Sequence, residues 1–264
     1  MANTEMKNYE KLASHIFMKK NFEYIKPVLD NSIPAERKHL NQTGKFRSNQ
    51  KKPLNISDYY HVMVFKKASA IISEIERLEE SLVYMQKFPN PRTYEKRGVH
   101  QFSWLEYHYS YFVITYHSLF DTGLILTNTV FQLGIPEKDC KSTIVIGNEW
   151  VKGTTAKTTL IALEKLISNY GKTRNLFLHR GAIPDVKSVT NSDLLDLLKV
   201  ISTVNQHSKP IAPVDLVDNV FKNESKKIII KLNSDVINAQ RSIAKLFDAL
   251  LPIYKSKAEE YKNL

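Results

Sequence analysis

The sequence has little glycine and almost no cysteine. Only 8 of its 264 residues are glycine, about 3% of the chain against the ~7% of an average protein. Folds with many tight turns, and sites built on Gly-rich phosphate loops, need more glycine than this. The single cysteine, Cys140, excludes an intramolecular disulfide framework and a multi-cysteine metal site, and it is typical of a reducing compartment.

Long hydrophobic runs are also missing. The chain begins Met1-Ala2-Asn3-Thr4-Glu5, without an apolar signal region. The most apolar region, residues 109–135, is interrupted by His117, Asp121 and Asn128, and it falls short of the ~18 charge-free residues that a membrane span needs. We therefore expect a cytoplasmic protein that does not enter a membrane.

The charge of the chain is strongly positive. Lys and Arg number 38 and Asp and Glu 27, which gives a net charge of +11, while 42% hydrophobic and 25% charged residues are ordinary for a folded protein. A basic surface attracts nucleic acid by neutralising phosphates and releasing counterions. The charge therefore favours an anionic partner, although many basic proteins bind no nucleic acid.

Helical hydrophobic periodicity dominates the sequence. The predicted helices cover about residues 5–29, 57–87, 103–133, 155–170, 192–204 and 234–261. Long helices with short connections predict an all-α fold, an antiparallel helical bundle with N- and C-terminal helical elaborations. We place an N-terminal helix and a basic linker in residues 1–56, and the bundle domain with its long C-terminal helix in residues 57–264.

Capping and proline signals set the helix boundaries. Pro27 and Pro34 should interrupt or end the first helix, whose inward residues would be Leu12, Ile16 and Phe17. Ser57-Asp58 offers an N-cap for the second helix.

Further signals concern the later elements. Ser103 with Glu106 forms a capping-box pattern, and Gly134 marks the stop of that helix. Residues 142–146 fit either a short strand or a loop, and residues 226–232 fit a strand as the less favoured alternative. Pro252 should kink the last helix.

The predicted helix at 103–133 is rich in aromatic residues on most of its faces. They are Trp104, Tyr107, Tyr109, Tyr111, Phe112, Tyr116 and Phe120. Such a helix lies at the centre of a bundle or is covered by a second subunit. The excess of aromatic surface predicts a homodimer.

Two familiar types of site are excluded. Gly171-Lys172-Thr173 resembles the end of a P-loop, but the required earlier glycine is replaced by Leu166, and the preceding chain is helical rather than a strand. No H-E-x-x-H pair and no Cys/His zinc spacing occurs. We therefore expect neither a metal nor a cofactor.

The informative segment reads Arg174-Asn175-Leu176-Phe177-Leu178-His179-Arg180-Gly181. On a helix Asn175 and His179 share a face, and Arg174 lies at the helix start. Arginine binds phosphate through a planar fork of donors, and histidine exchanges protons near neutral pH. The alternative is structural, with Arg174 in a salt bridge and His179 at a helix end.

Four further residues are candidates for supporting this segment. Lys172 and Arg180 flank the Arg174–His179 motif and would add positive charge for RNA. His117 and Asp121 lie four apart on one helix face. They form either a hydrogen-bonded structural pair or a support for the site.

The pattern R-N-x-x-x-H near the end of a helical bundle resembles the HEPN superfamily, over about residues 57–204. The resemblance implies an all-helical domain, usually dimeric, and often a metal-independent ribonuclease. It implies that the ribose 2′-OH attacks the adjacent phosphate. In this reaction His179 would be the general base or acid, Arg174 would hold the scissile phosphate, and Asn175 would orient His179 or the phosphate. It also implies a setting in prokaryotic toxin–antitoxin or antiphage defence, with RNA or a nucleotide and an antitoxin protein as partners.

Two alternatives stay open at this point. Some members of the superfamily bind RNA or nucleotides without cleaving them, which makes a non-catalytic binding or interaction module the second hypothesis. The third is a helical scaffold in which Arg174 and His179 are structural.

Overall fold

The regular structure of this chain is helical. The computed structural model describes residues 7–43, 54–89, 93–94, 96–97, 99, 101–171, 174–175, 200–201, 204 and 213–262. Within these ranges every regular element is a helix, which confirms the predicted all-α class. The helices are α1 Asn8–Ala13, α2 Ile16–Thr43, α3 Ile56–Gln86, α4 Gln101–Phe131, α5 Ser142–Gly147, α6 Glu149–Lys152, α7 Thr155–Ile167 and α8 Val214–Lys262, with 3₁₀ turns at Glu137–Asp139 and Ser168–Tyr170.

The chain divides into two compact units. The first comprises residues 1–73, 119–165 and 240–264, and the second comprises residues 74–118 and 166–239. The long helices α3, α4 and α8 contribute residues to both units.

The first unit has an aromatic and aliphatic core. Phe17 of α2 stacks on Phe247 of α8, with ring centroids 5.1 Å apart, and also contacts Tyr254. Gly123 of α4 faces Leu163 of α7 and Leu246 of α8, since a Cβ at this position would be in van der Waals contact with their Cδ2 atoms, at 3.5 and 3.4 Å. Burial of these apolar side chains is the main stabilising term of the unit.

A buried polar cluster lies in this core. Asn21 Nδ2 donates to the hydroxyl of Tyr254 at 2.5 Å and to the carbonyl oxygen of His61 at 3.2 Å. The Tyr254 hydroxyl lies 2.7 Å from His61 Nδ1. Burial lowers the pKa of His61, so its ring is neutral. Its Nδ1 then accepts a hydrogen bond from the Tyr254 hydroxyl. Tyr24 stacks on the His61 ring, with centroids 4.6 Å apart.

In the second unit, side-chain contacts define the helix directions. Ser118 of α4 donates to Glu74 of α3 at 3.1 Å, and Trp104 Nε1 donates to the Tyr84 carbonyl at 2.8 Å, so α3 and α4 are antiparallel. At the start of α4, Phe102 packs edge-on against Phe221 of α8. Later along α4, Tyr116 donates to the carbonyl of Asp235. The two helices α4 and α8 therefore run in the same direction, opposite to α3.

Prolines do not end the helices, contrary to expectation for α2. Pro27 and Pro34 lie inside α2, and Pro252 lies inside α8. A proline in a helix deprives the carbonyl four residues earlier of its hydrogen bond. All three prolines are exposed, so water can reach the carbonyls that they leave unbonded.

Both strand alternatives are wrong. Residues 142–146 belong to α5, and residues 226–232 belong to α8. In α8, Ile228 and Leu232 are buried while Lys226, Lys227 and Lys231 are exposed. This spacing is that of a helix with one buried face rather than of a strand.

The N-cap of α3 is Asn55, earlier in the chain than the predicted Ser57-Asp58. Asn55, rather than Ser57-Asp58, receives the backbone N–H of Asp58 on its Oδ1 at 2.7 Å, and its own Nδ2 donates to the Asp58 carboxylate at 3.0 Å. The helix α4 ends at Phe131, close to the predicted stop, but the residue directly after it in the left-handed region is Gln132, with a φ of 56°, and Gly134, with a φ of 72°, follows two residues later. The predicted capping box at Ser103 is wrong, because α4 begins at Gln101 and Ser103 lies inside it.

Apolar residues recur along α3 at steps of three and four and form its inward stripe. Its members are all buried: Val64, Ala68, Ile71, Ile75, Leu78, Leu82 and Met85. In the N-terminal helices Leu12 and Phe17 are buried as expected, but Ile16 is 46% exposed. Ile16 is the first residue of α2, so the stripe predicted for one continuous helix does not carry over the break after α1.

We predict that Tyr254→Phe lowers the free energy of unfolding by about 1–3 kcal/mol, because buried Asn21 and His61 both lose a partner. The change is measured by guanidinium unfolding. Tyr59→Phe is the matched control, because Tyr59 is 57% exposed and its loss should cost under about 0.5 kcal/mol. Equal stability of the two variants would show that the buried cluster contributes nothing.

Candidate functional site

A buried tyrosine fixes the chain just before the candidate motif. Tyr170 ends the 3₁₀ turn at 168–170, and its hydroxyl donates to the Asp235 carboxylate of α8 at 2.6 Å. Its ring packs edge-on against Phe112 and Tyr116 of α4, with centroid distances of 6.2 and 5.2 Å. The segment that leads into the motif is therefore held by two long helices.

Asp235 receives bonds on both its side chain and its backbone. Tyr116 donates to its carbonyl oxygen at 3.4 Å. Burial, and after it the bond to Asp235, raises the pKa of Tyr170 far above its ordinary value; burial also raises the pKa of Tyr116. Both phenols keep their protons at any physiological pH and act as hydrogen-bond donors.

His117 lies beside the same segment. A Cβ placed on Gly171 would lie 3.7 Å from His117 Nε2, so this half-buried imidazole contacts the chain three residues before Arg174. The structure thus brings one of the predicted supporting residues to the motif segment. Asp121, its predicted partner, is exposed.

The first two motif residues are helical. Arg174 Nη1 donates to Asn175 Oδ1 at 3.3 Å, Arg174 is half-buried, and Asn175 is exposed. This bond engages the Asn175 carbonyl oxygen, and the amide keeps its N–H donors for other acceptors. His179, Arg180 and Lys172 lie outside the described residues, and their roles stay predictions.

The described part of the chain offers neither a cluster of metal-ligating side chains nor a membrane-spanning helix. It contains no group of three or more His, Cys, Asp or Glu side chains that could hold a metal ion. No helix there is both long enough and apolar enough to cross a bilayer.

Comparison with protein families identifies the chain. A family model described as HEPN_Cthe2314-like HEPN matches residues 52–238, a range that contains the whole Arg174–His179 motif. The chain belongs to this HEPN family. It matches no curated protein and no solved structure. The HEPN assignment confirms the resemblance seen in the sequence, and HEPN domains often act as ribonucleases or bind nucleotides.

Sequence reasoning missed the two residues that anchor the HEPN motif segment. Tyr170 was only the end of a predicted helix, and Asp235 was one polar residue of another. The available signal was the position of Tyr170 directly before Gly171, where a large aromatic residue ends a helix. Nothing local connects it with Asp235, which is 65 residues away in the chain.

We predict that Tyr170→Phe destabilises the protein by about 1.5–3 kcal/mol, the usual range for a hydrogen bond to a charged group. The ring and its packing are retained, so the loss reports the bond to Asp235. The measurement is guanidinium unfolding, with Tyr107→Phe on α4 as the control, since Tyr107 is 68% exposed. A Tyr170→Phe protein as stable as the control would mean that the segment is held by packing alone.

Proposed function

We propose that this HEPN protein is a metal-independent endoribonuclease. The observation that carries the proposal is the motif Arg174-Asn175-x-x-x-His179 in a HEPN domain. The structure supports it to the extent of the first two residues, which lie on a helical turn shortly after the anchored Tyr170. A fixed mount is what a catalytic group needs, because small displacements cost large factors in rate.

The reaction is an internal transfer at phosphorus. The ribose 2′-oxygen attacks, the bond from phosphorus to the 5′-oxygen breaks, and the products are a 2′,3′-cyclic phosphate and a 5′-hydroxyl. His179 takes the 2′-OH proton or gives a proton to the leaving 5′-oxygen. The guanidinium of Arg174 binds the non-bridging phosphate oxygens and offsets the charge that develops on them. Asn175, which accepts from Arg174, orients the guanidinium or the phosphate.

The proposed setting follows from the superfamily. We place the activity in toxin–antitoxin or antiphage defence in a prokaryotic cytoplasm, with RNA as substrate and an antitoxin protein as regulator. The net charge of +11 supports an anionic substrate.

A homodimer completes the proposal. Exposed apolar side chains of α3 and α4 lie in the second unit, which also contains the motif: Val83, Tyr84, Tyr107 and Tyr111. Exposed apolar groups of this kind mark association sites when they are contiguous. Arg174 and His179 are five residues apart, about 140° around a helix, so two chains around one groove would supply both groups to one phosphate.

We expect the purified protein to cleave mixed RNA in the presence of EDTA and to leave cyclic phosphate ends, detected by end-group analysis. His179→Ala should lower the rate by about 10²–10⁴, the contribution of a general acid or base. His39→Ala is the control, because His39 lies on α2 outside the family match.

Three results would decide between the hypotheses. RNA binding without cleavage in the wild-type protein favours the non-catalytic binding module. Equal cleavage by wild type and His179→Ala overturns the assignment of His179. If the protein neither binds nor cleaves RNA, the scaffold hypothesis is the one that remains.

We expect a mixed dimer of Arg174→Ala and His179→Ala chains to regain part of the activity, because one of its two composite sites is intact. The two chains carry different tags, are co-expressed, and are purified over both tags. Each variant homodimer is the control. A wild-type protein that sediments as a monomer at micromolar concentration with full activity would contradict the dimer.

A further inference from the structure

The second unit contains a cavity that the motif does not use. Its volume is about 460 Å³, within the roughly 300–1,000 Å³ of small-ligand sites. The end of α3, the start of α4 and the first half of α8 surround it, and most of its lining is apolar. Its lining combines an aromatic wall, two lysines and one buried hydroxyl.

The aromatic wall is held in place by its neighbours. Trp104 lines the cavity, and its indole Nε1 donates to the Tyr84 carbonyl at 2.8 Å. The ring of His108 packs edge-on against it at 4.5 Å, and Phe88 and Tyr94 contact it at 6.0 and 5.6 Å. An aromatic ring whose orientation is already fixed loses little entropy when a flat ligand binds.

Two lysines of α8 line the same cavity. Lys222 and Lys226 are one helical turn apart and exposed, and neither forms an ion pair with a carboxylate of the described residues. Their neighbour Lys227, by contrast, is paired with Glu224 at 2.6 Å. No acidic residue is among the described residues that line the cavity, so the cavity favours an anion.

A buried polar side chain also lines the cavity. Ser225 is 95% buried, being 5% exposed, it lines the cavity, and its hydroxyl has no hydrogen-bond partner in the described part of the chain. A buried hydroxyl without a partner is costly, and a ligand atom within reach removes the cost. The Gln86 amide and the Gln101 carbonyl oxygen add donors and acceptors to the lining, whereas Gln101 Nε2 already donates to Asp218 Oδ1 at 3.2 Å.

We propose that this cavity binds a single unpaired nucleotide, with its base against Trp104 and its phosphate at Lys222 and Lys226. A fatty acid would need the apolar wall and a cation, but it would not use a hydroxyl and two amides. A heteroaromatic base with donors and acceptors uses all of them. The nucleotide is either free or part of single-stranded RNA, and base stacking on aromatic rings with lysines at phosphates is common to both.

For the RNA case, this inference rests on the proposed function and specifies its substrate class. Ser225 and Asp235 are ten residues apart on α8, about 15 Å at 1.5 Å per residue, so a strand of a few nucleotides reaches from the cavity to the segment that Asp235 anchors. Such a strand must present a splayed-out base. The protein should therefore prefer unpaired RNA to duplex.

The experiment uses Trp104 as its own reporter. The chain has two tryptophans, and Trp150 is 78% exposed, so the full-length Trp150→Phe protein leaves Trp104 as the single emitter. It carries His179→Ala as well, which prevents cleavage during titration. The ligands are AMP and UMP, an eight-nucleotide single-stranded RNA, the same RNA as a duplex, and laurate.

We expect saturable quenching of Trp104 by the single strand or by a mononucleotide, with weaker binding of the duplex. Lys222→Ala/Lys226→Ala should weaken binding about tenfold or more, since two phosphate contacts are lost. Lys231→Ala/Lys245→Ala is the charge-matched control, because both lysines are exposed on α8 and neither lines the cavity; it should weaken binding less than about threefold. Quenching by AMP or UMP alone indicates a free nucleotide, and quenching by the oligonucleotide indicates RNA.

Other outcomes overturn the proposal. Equal losses in the two double variants would assign the binding to the general positive charge. Saturable quenching by laurate but by no nucleotide would make the cavity a lipid site. Failure of the proposed nuclease is a separate result. If the protein does not cleave RNA in EDTA but a nucleotide still quenches Trp104, the cavity proposal stands. If the protein cleaves RNA and no nucleotide quenches Trp104, only the cavity proposal is overturned.

Discussion

The hydrogen bond from Tyr170 to Asp235 is the constraint on which the candidate site depends. It joins the end of the 3₁₀ turn at 168–170 to α8, while the Tyr170 ring packs on Phe112 and Tyr116 of α4. Burial raises the pKa of the Tyr170 phenol far above its ordinary value, so the phenol remains a hydrogen-bond donor in the physiological range. Arg174 and Asn175 follow within five residues of Tyr170, so this bond helps to fix where they lie.

Much of the fold could be predicted because its signals are local and periodic. The α3 stripe from Val64 to Met85 repeats at three and four residues, and every member is buried. The prediction that Pro27 and Pro34 interrupt or end the first helix is wrong, because the effect of a proline on a helix depends on its surroundings. Pro27 and Pro34 face solvent, where water can satisfy the carbonyls they expose, and no sequence window shows which side of a helix faces water before the packing is known.

The candidate site, like the fold, has parts with a local sequence signal and parts that depend on packing. Arg174, Asn175 and His179 are visible in eight consecutive residues, and the family match over residues 52–238 supports the resemblance that they carry. Tyr170 with Asp235, and Trp104 with Lys222, meet only through the packing of α4, α8 and the chain between them. Pairs separated by 65 or more residues leave no periodic signal, so sequence reasoning identifies candidate reacting groups and misses the residues that hold the segment in place.

Charge on α8 shows why position matters more than the total of +11. Lys227 is paired with Glu224, a carboxylate that is itself buried, and this pair has little attraction left for a phosphate. Lys222 and Lys226 sit beside an aromatic wall with no described acidic residue in the lining. At the ~8 Å Debye length of physiological salt, a phosphate senses the charges within about one helical turn and is screened from the rest. A basic chain therefore selects its ligand where cations, a flat apolar surface and a buried hydroxyl coincide, and on α8 they coincide at Lys222–Lys226.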